Sequence, residues 1–123
     1  MTLQELYRKI GEDYEQALRV LRMEKLVDKH IRKFSHNEQI EAMVAAGEAM
    51  DAAQLFETAH AAKGICGNLG LTRLSAMASD IAEEFRPGHP RQMSDDAVRE
   101  KLKEIDSLYR KTATEIIRYE EAI

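Results

Sequence analysis

Apolar residues recur three or four positions apart along most of the chain, and no segment alternates with a period of two. The first spacing places apolar side chains on one face of an α-helix, whereas a half-buried strand needs the second. The helical segments are joined by short breaks. The pattern therefore predicts an all-α protein: an antiparallel up-down four-helix bundle with an additional short N-terminal helix, forming one domain over residues 1–123.

Capping residues and breakers predict where most helices begin and end. Asp51 is suited to cap a helix over about residues 51–69, and Gly70 is in position to end it. The other predicted N-caps are Thr2 (with Glu5), Asp13, Thr72 and Ser94, and the other predicted stops are Gly11 and the proline-containing loop 86–90.

The helix that begins after Asp13 is predicted to be long, and its middle can be interpreted in two ways. Ser35 with Glu38 resembles a second capping box, so residues 34–37 are either a break or a kink. Beyond them the apolar spacing continues to Gly47, a predicted C-terminal stop.

Composition excludes several classes of function. The net charge of −4 argues against nucleic acid as the main partner, because phosphate binding needs an excess of Lys and Arg. No apolar run is long enough to span a membrane, and the N-terminus lacks the blocks of a signal peptide. A single cysteine, Cys66, fits a reducing compartment. These features predict a cytoplasmic protein.

His60 lies in the middle of the helix over 51–69 and is the strongest candidate for chemistry. At about 100° per residue, His60 lies almost opposite the apolar stripe of this helix, so it should face solvent. Lys63, Gly64 and Gly67 fall on the same side as His60, and Phe56 is near it. The apolar stripe itself consists of Leu55, Ala62, Cys66 and Leu69.

The two glycines favour function over an incidental surface histidine. Each glycine inside a helix lowers stability by about 1 kcal/mol relative to alanine. Gly64 and Gly67 can instead clear space for close approach by another protein. A neutral exposed imidazole can attack phosphorus through its free nitrogen, and Lys63 can pair with the phosphoryl oxygens. The chain has no Walker loop or nucleotide motif, so we expect no ATP-dependent kinase activity of its own.

The segment His60-Ala61-Ala62-Lys63-Gly64 resembles the H-x-x-K-G motif of histidine phosphotransfer (HPt) domains. The residues Gly67-Asn68-Leu69-Gly70 and the helix that follows are also similar to that family, so the close likeness covers about residues 51–86. Ala62 stands where the family commonly has a larger aliphatic residue. The segment 35–50 does not align, so the second bundle helix can be irregular.

The resemblance implies a phosphorelay role. A receiver domain's phospho-aspartate, or a histidine kinase system, would phosphorylate His60, which would pass the group to a response-regulator aspartate. It implies that Lys63 assists the phosphoryl group and that Gly64 clears space. We expect Phe56, Gly67 and Asn68 to contact the partner. The partners would be response-regulator receiver domains and a hybrid histidine kinase, with no resident cofactor or metal.

Two alternatives stay open. A module of the same fold could bind receivers without accepting phosphate. A bundle holding a metal or haem would need histidines that point into the core, but His60 is predicted to lie outside, and His30, His36 and His89 show no ligand spacing with it. Cys66 is expected to be a small core residue. Arg73 and Arg86 could either meet an acidic receiver surface or be solvated charges.

Overall fold

The structure, a computed structural model, describes residues 1–122, which contain seven helices and no strand. The predicted all-α class is confirmed. The helices are α1 (Leu3–Ile10), α2 (Tyr14–Leu21), α3 (Glu24–Phe34), α4 (Glu38–Ala49), α5 (Ala52–Asn68), α6 (Thr72–Glu84) and α7 (Asp95–Glu121).

Four helices form a closed ring of contacts around the core. Helix α5 packs on α4 and α6, and α7 packs on the same two helices from the other side. Helix α2 lies against α5, while α1 and α3 lie against α7. Three helices therefore precede the ring within the described residues. The sequence had instead predicted one short N-terminal helix and part of a long second one. None of the described helices is long and apolar enough to cross a membrane.

The predicted long helix after Asp13 is wrong, because the chain breaks at Arg22. Arg22 has a left-handed backbone with φ of 69°, and its N–H donates to the Leu18 carbonyl at 2.8 Å to close α2. The segments on either side of Arg22 pack on different neighbours, α2 on α5 and α3 on α7. A continuous helix could not serve both contacts, so tertiary packing overrides the local spacing.

Residues 34–37 form a break rather than a kink. The hydroxyl of Tyr109 on α7 accepts a hydrogen bond from the Asn37 N–H at 2.8 Å and donates one to the Ser35 carbonyl at 3.1 Å. Asn37 caps α4, since its side chain accepts from the Ile40 N–H at 3.0 Å. The predicted capping box at Ser35 is therefore wrong.

Gly47 does not end α4, contrary to prediction. The helix continues to Ala49 and ends at Met50, which has a left-handed backbone with φ of 52°. Gly47 is buried inside the helix, where a Cβ atom would lie 2.2 Å from Leu102 Cδ1 of α7. This glycine allows two helices to approach closely.

The turn between α5 and α6 is fixed by backbone contact with the N-terminal segment. Gly70 has φ of 67°, as its predicted role after a helix end requires, and a Cβ there would lie 2.0 Å from the Asp13 carbonyl oxygen. The Asp13 N–H donates to the Gly70 carbonyl at 3.0 Å. The hydroxyl of the buried Tyr7 donates to the Leu69 carbonyl at 2.7 Å. Helix α1 and the α1–α2 loop thus hold the C-terminal end of α5.

The contacts of Tyr7 and Asp13 with the α5–α6 turn form a clamp, and Glu12 adds a further contact to it. The predicted N-cap of α6 at Thr72 is wrong. The N-cap is Leu71, which makes no side-chain capping bond, and Thr72 is the first helical residue. Glu12 accepts a hydrogen bond from the Thr72 N–H at 3.1 Å and pairs with Arg73 Nε at 3.1 Å. Arg73 also donates to the Ile10 carbonyl at 2.6 Å. The cap of α6 is therefore supplied from 60 residues away in the chain.

A buried carboxylate fixes the loop between α6 and α7. Glu84 is 4% exposed and accepts hydrogen bonds from Arg91 Nε at 2.7 Å and from the N–H groups of Gln92 and Met93. Burial alone would raise the pKa of this carboxyl, but the bonds from Arg91, Met93 and Gln92 outweigh burial and lower the pKa. The loop therefore stays folded back on the end of α6.

We expect Gly70→Ala to lower the free energy of unfolding by about 3 kcal/mol, because the methyl group meets the backbone of Asp13 in an already left-handed conformation. Gly88→Ala is the matched control. Gly88 also has a positive φ, of 81°, but a Cβ there meets nothing within 4 Å, so about 1 kcal/mol should be lost. Urea unfolding measures both. Equal losses in the two variants would contradict the clamp.

Candidate functional site

The site lies on α5, whose ends are both fixed. The side chain of Asp51 accepts a hydrogen bond from the Gln54 N–H at 3.2 Å, which confirms the predicted N-cap. At the other end, the Leu69 N–H bonds to the Ile65 and Cys66 carbonyls before Gly70 turns the chain. His60 lies midway between these ends.

The buried and exposed residues of α5 lie on the two faces that the sequence predicted. Its buried residues are Leu55, Thr58, Ala59, Ala62 and Cys66. His60 and Lys63 are exposed on the other side. Burial raises the pKa of the Cys66 thiol to about 12, and the negative charge of Glu12 adds to the effect. Cys66 is thus a small core residue, kept in its thiol form.

The ring of Phe56 stacks on the imidazole of His60. The two rings are one turn apart on α5 and stack with centroids 5.6 Å apart and planes inclined by 22°. Phe56 is half-buried and packs against the core, so the stacking partner is itself fixed. Phe56 is therefore only partly exposed, although it lies near His60 on the solvent side of α5.

Lys63 presents an ammonium group that has no ion pair within residues 1–122. Its backbone is fixed, because the Lys63 carbonyl accepts a hydrogen bond from Ser75 Oγ of α6 at 3.0 Å. The base of this side chain is anchored to a neighbouring helix while its charge is available to an anion. An anion bound at His60 would lie one helical turn from that charge.

The two glycines of the motif have different surroundings. A Cβ at Gly64 would meet nothing within 4 Å, so packing inside the chain gives no reason for a glycine there. A Cβ at Gly67 would make an ordinary contact of 3.5 Å with Ser75 Oγ. Gly67 is half-buried against α6, whereas Gly64 and Asn68 are exposed. Gly64 therefore leaves the surface next to His60 open at the expense of helix stability.

The remaining candidates are two arginines and a possible metal site. Arg73 and Arg86 are held by Glu12 and Glu83 at 3.1 and 3.0 Å, so both charges are paired within the chain. Residues 1–122 contain no group of three His, Cys, Asp or Glu side chains placed to hold a metal ion. The structural role of Arg73 was missed from the sequence, because its partner Glu12 lies on a different element.

A family model described as Hpt domain matches residues 33–113, about two thirds of the chain. The chain belongs to the Hpt domain family. The match covers α4, α5, α6 and most of α7, and it includes His60. Membership implies a phosphotransfer role in two-component signalling, in which Hpt domains interact with receiver domains and histidine kinases. No curated protein and no solved structure matches the chain significantly.

Proposed function

We propose that His60 is the phosphorylated residue of this Hpt domain. A ring nitrogen of His60 attacks the phosphorus of a receiver's phospho-aspartate, or of a phosphohistidine in a histidine kinase system. The bond from phosphorus to the donor breaks, its electron pair stays on the donor, and a P–N bond forms. In the second transfer, a response-regulator aspartate attacks the phosphorus, the P–N bond breaks, and its electron pair returns to the His60 nitrogen. The observation that carries this proposal is an exposed imidazole at the centre of a helix anchored at both ends.

The neighbours of His60 have separate roles in this proposal. Lys63 pairs with the phosphoryl oxygens, since its charge has no other partner in the described residues. Gly64 allows the partner's acidic centre to approach the imidazole without a steric barrier. Phe56 holds the ring by stacking, while Gly67 and Asn68 lie at the edge of the partner contact. The partner supplies the metal ion and the aspartate, and the chain alone has no ATP-dependent kinase activity.

We also propose how the chain is organised around this site. Residues 1–123 act as one domain, in which α4, α5, α6 and α7 form the up-down four-helix bundle and the N-terminal helices brace it. The free thiol of Cys66 suits a reducing, cytoplasmic location. The partners are a hybrid histidine kinase and response-regulator receiver domains.

We expect the protein to acquire one phosphoryl label, acid-labile and base-stable, when it is mixed with phosphorylated receiver domains of the source organism. His60→Gln should abolish the label. His36→Gln should retain it, because His36 is exposed in the break before α4, on a different element. A label that survives His60→Gln would contradict the proposal. Receiver binding without any label, unchanged in His60→Gln, would instead identify a module that only binds receivers.

We expect Gly64→Ala to raise the free energy of unfolding by about 0.5–1 kcal/mol and yet to slow transfer from a phosphorylated receiver about tenfold. The methyl group meets nothing within the chain but stands in the partner's path. Gly47→Ala is the control at a buried helical position, where Leu102 must move, so stability should not rise. A Gly64→Ala protein that transfers at the wild-type rate would exclude the clearance role.

A further inference from the structure

The outer face of α3 carries a row of three lysines. Lys25, Lys29 and Lys33 are all exposed and lie four residues apart, so they project from one side of the helix. The buried residues of α3, on its other side, are Val27, Ile31 and Phe34. None of the three lysines has an ion pair within residues 1–122. This lysine row is therefore free to meet a negatively charged surface.

Positive charge is concentrated in this part of the chain. Residues 14–34, which form α2, α3 and the elbow between them at Arg22, hold six Lys or Arg and three Asp or Glu side chains. One of the three acids, Asp28, is occupied by Arg32 and Tyr119. The segment is net positive by three charges, although the whole chain has a net charge of −4. Such an uneven distribution turns this side of the protein toward an anionic surface.

Two large apolar side chains are exposed beside the lysine row. Val20 and Met23 are 42% and 54% exposed, and they flank the left-handed Arg22 at the elbow. The cations next to this apolar pair, all exposed, are Arg19, Arg22 and Lys25. A protein that binds a lipid surface uses this combination, because apolar groups enter the boundary of the acyl layer while cations meet anionic headgroups. A nucleic acid offers phosphates but no apolar layer for the pair.

The lysine row is directed away from His60. Helix α3 meets α5 at a cleft that Lys33 shares with Ile65 and Leu69 of α5. At about 100° per residue, Ile65 and Leu69 lie about 140° and 180° from His60 around the axis of α5. Helix α3 is therefore on the side of α5 that is turned away from His60. A surface bound to the lysine row leaves His60 accessible.

We propose that the lysine row of α3 and the apolar pair at the elbow bind the protein peripherally to an anionic lipid surface. The three lysines pair with anionic headgroups, and Val20 and Met23 enter the outer edge of the acyl layer. Each basic residue near such a surface raises the partition coefficient about fivefold. This contact does not involve His60, so the lipid proposal and the phosphotransfer proposal can fail independently.

Sedimentation with lipid vesicles at low salt tests the lysine row. Wild-type protein should bind vesicles of about one third phosphatidylserine in phosphatidylcholine, should not bind pure phosphatidylcholine, and should bind less as salt is added. Combining Lys25→Gln, Lys29→Gln and Lys33→Gln should lower the partition coefficient about a hundredfold. The control lowers the net charge equally at exposed positions of α1 and α7, and should have only a small effect: Lys9→Gln, Lys103→Gln and Lys111→Gln combined.

A fluorescent variant tests the apolar pair. The chain has no tryptophan, so Met23→Trp introduces a single reporter at an exposed position. Its emission should shift to shorter wavelength when phosphatidylserine vesicles are added, because the indole ring leaves water. Ile117→Trp is the control, at a position of α7 that is 39% exposed, and its emission should not shift.

Three results would overturn the proposal. The first is the absence of wild-type binding to phosphatidylserine vesicles. The second is an equal loss of binding in the two triple variants, or an equal shift in the two tryptophan variants. The third is binding to a DNA duplex that exceeds vesicle binding, is lost with the three lysines and gives no shift in Met23→Trp, which would assign the lysine row to nucleic acid.

Discussion

The backbone contact between Gly70 and Asp13 is the constraint on which the site depends. Gly70 turns the chain from α5 into α6, and the carbonyl of Asp13 occupies the space that any side chain at Gly70 would need. Tyr7 and Glu12 add hydrogen bonds to Leu69 and to Thr72 on either side of the turn. These contacts fix the C-terminal end of α5. The apolar stripe of the helix is buried in the core, and His60 lies on the opposite, exposed side.

The side chains around His60 make few contacts within residues 1–122. His60 makes no hydrogen bond within residues 1–122 beyond the helix backbone, and Lys63 has no acidic partner there. Gly64 forgoes about 1 kcal/mol of helix stability without improving any contact in the chain. These features are what the proposed docking of a receiver domain on His60 requires, and Hpt domains interact with receiver domains.

The features that local contacts determine could be predicted from the sequence. The caps at Thr2, Asp13, Asp51 and Ser94 each bond to an N–H three residues ahead, and all four are present. The exposed position of His60 also followed from spacing along one helix.

The features that depend on a partner distant in the chain could not be predicted from the sequence. Nothing near Arg22 in the sequence requires a left-handed residue, because the break serves two separate packing contacts. Tyr109 fixes the cap at Asn37 from 72 residues away, and Leu102 explains why Gly47 lies inside a helix.

Nuclear magnetic resonance of the histidine ring nitrogens tests the central claim most directly. The wild-type protein, labelled with ¹⁵N, would be recorded before and after phosphorylation by a receiver domain, with no substitution to disturb the fold. If His60 is the phosphorylated residue, one of its ring nitrogens should couple to phosphorus while the rings of the other three histidines keep their chemical shifts. Phosphorus on His30, His36 or His89, or no phosphohistidine at all, would contradict it.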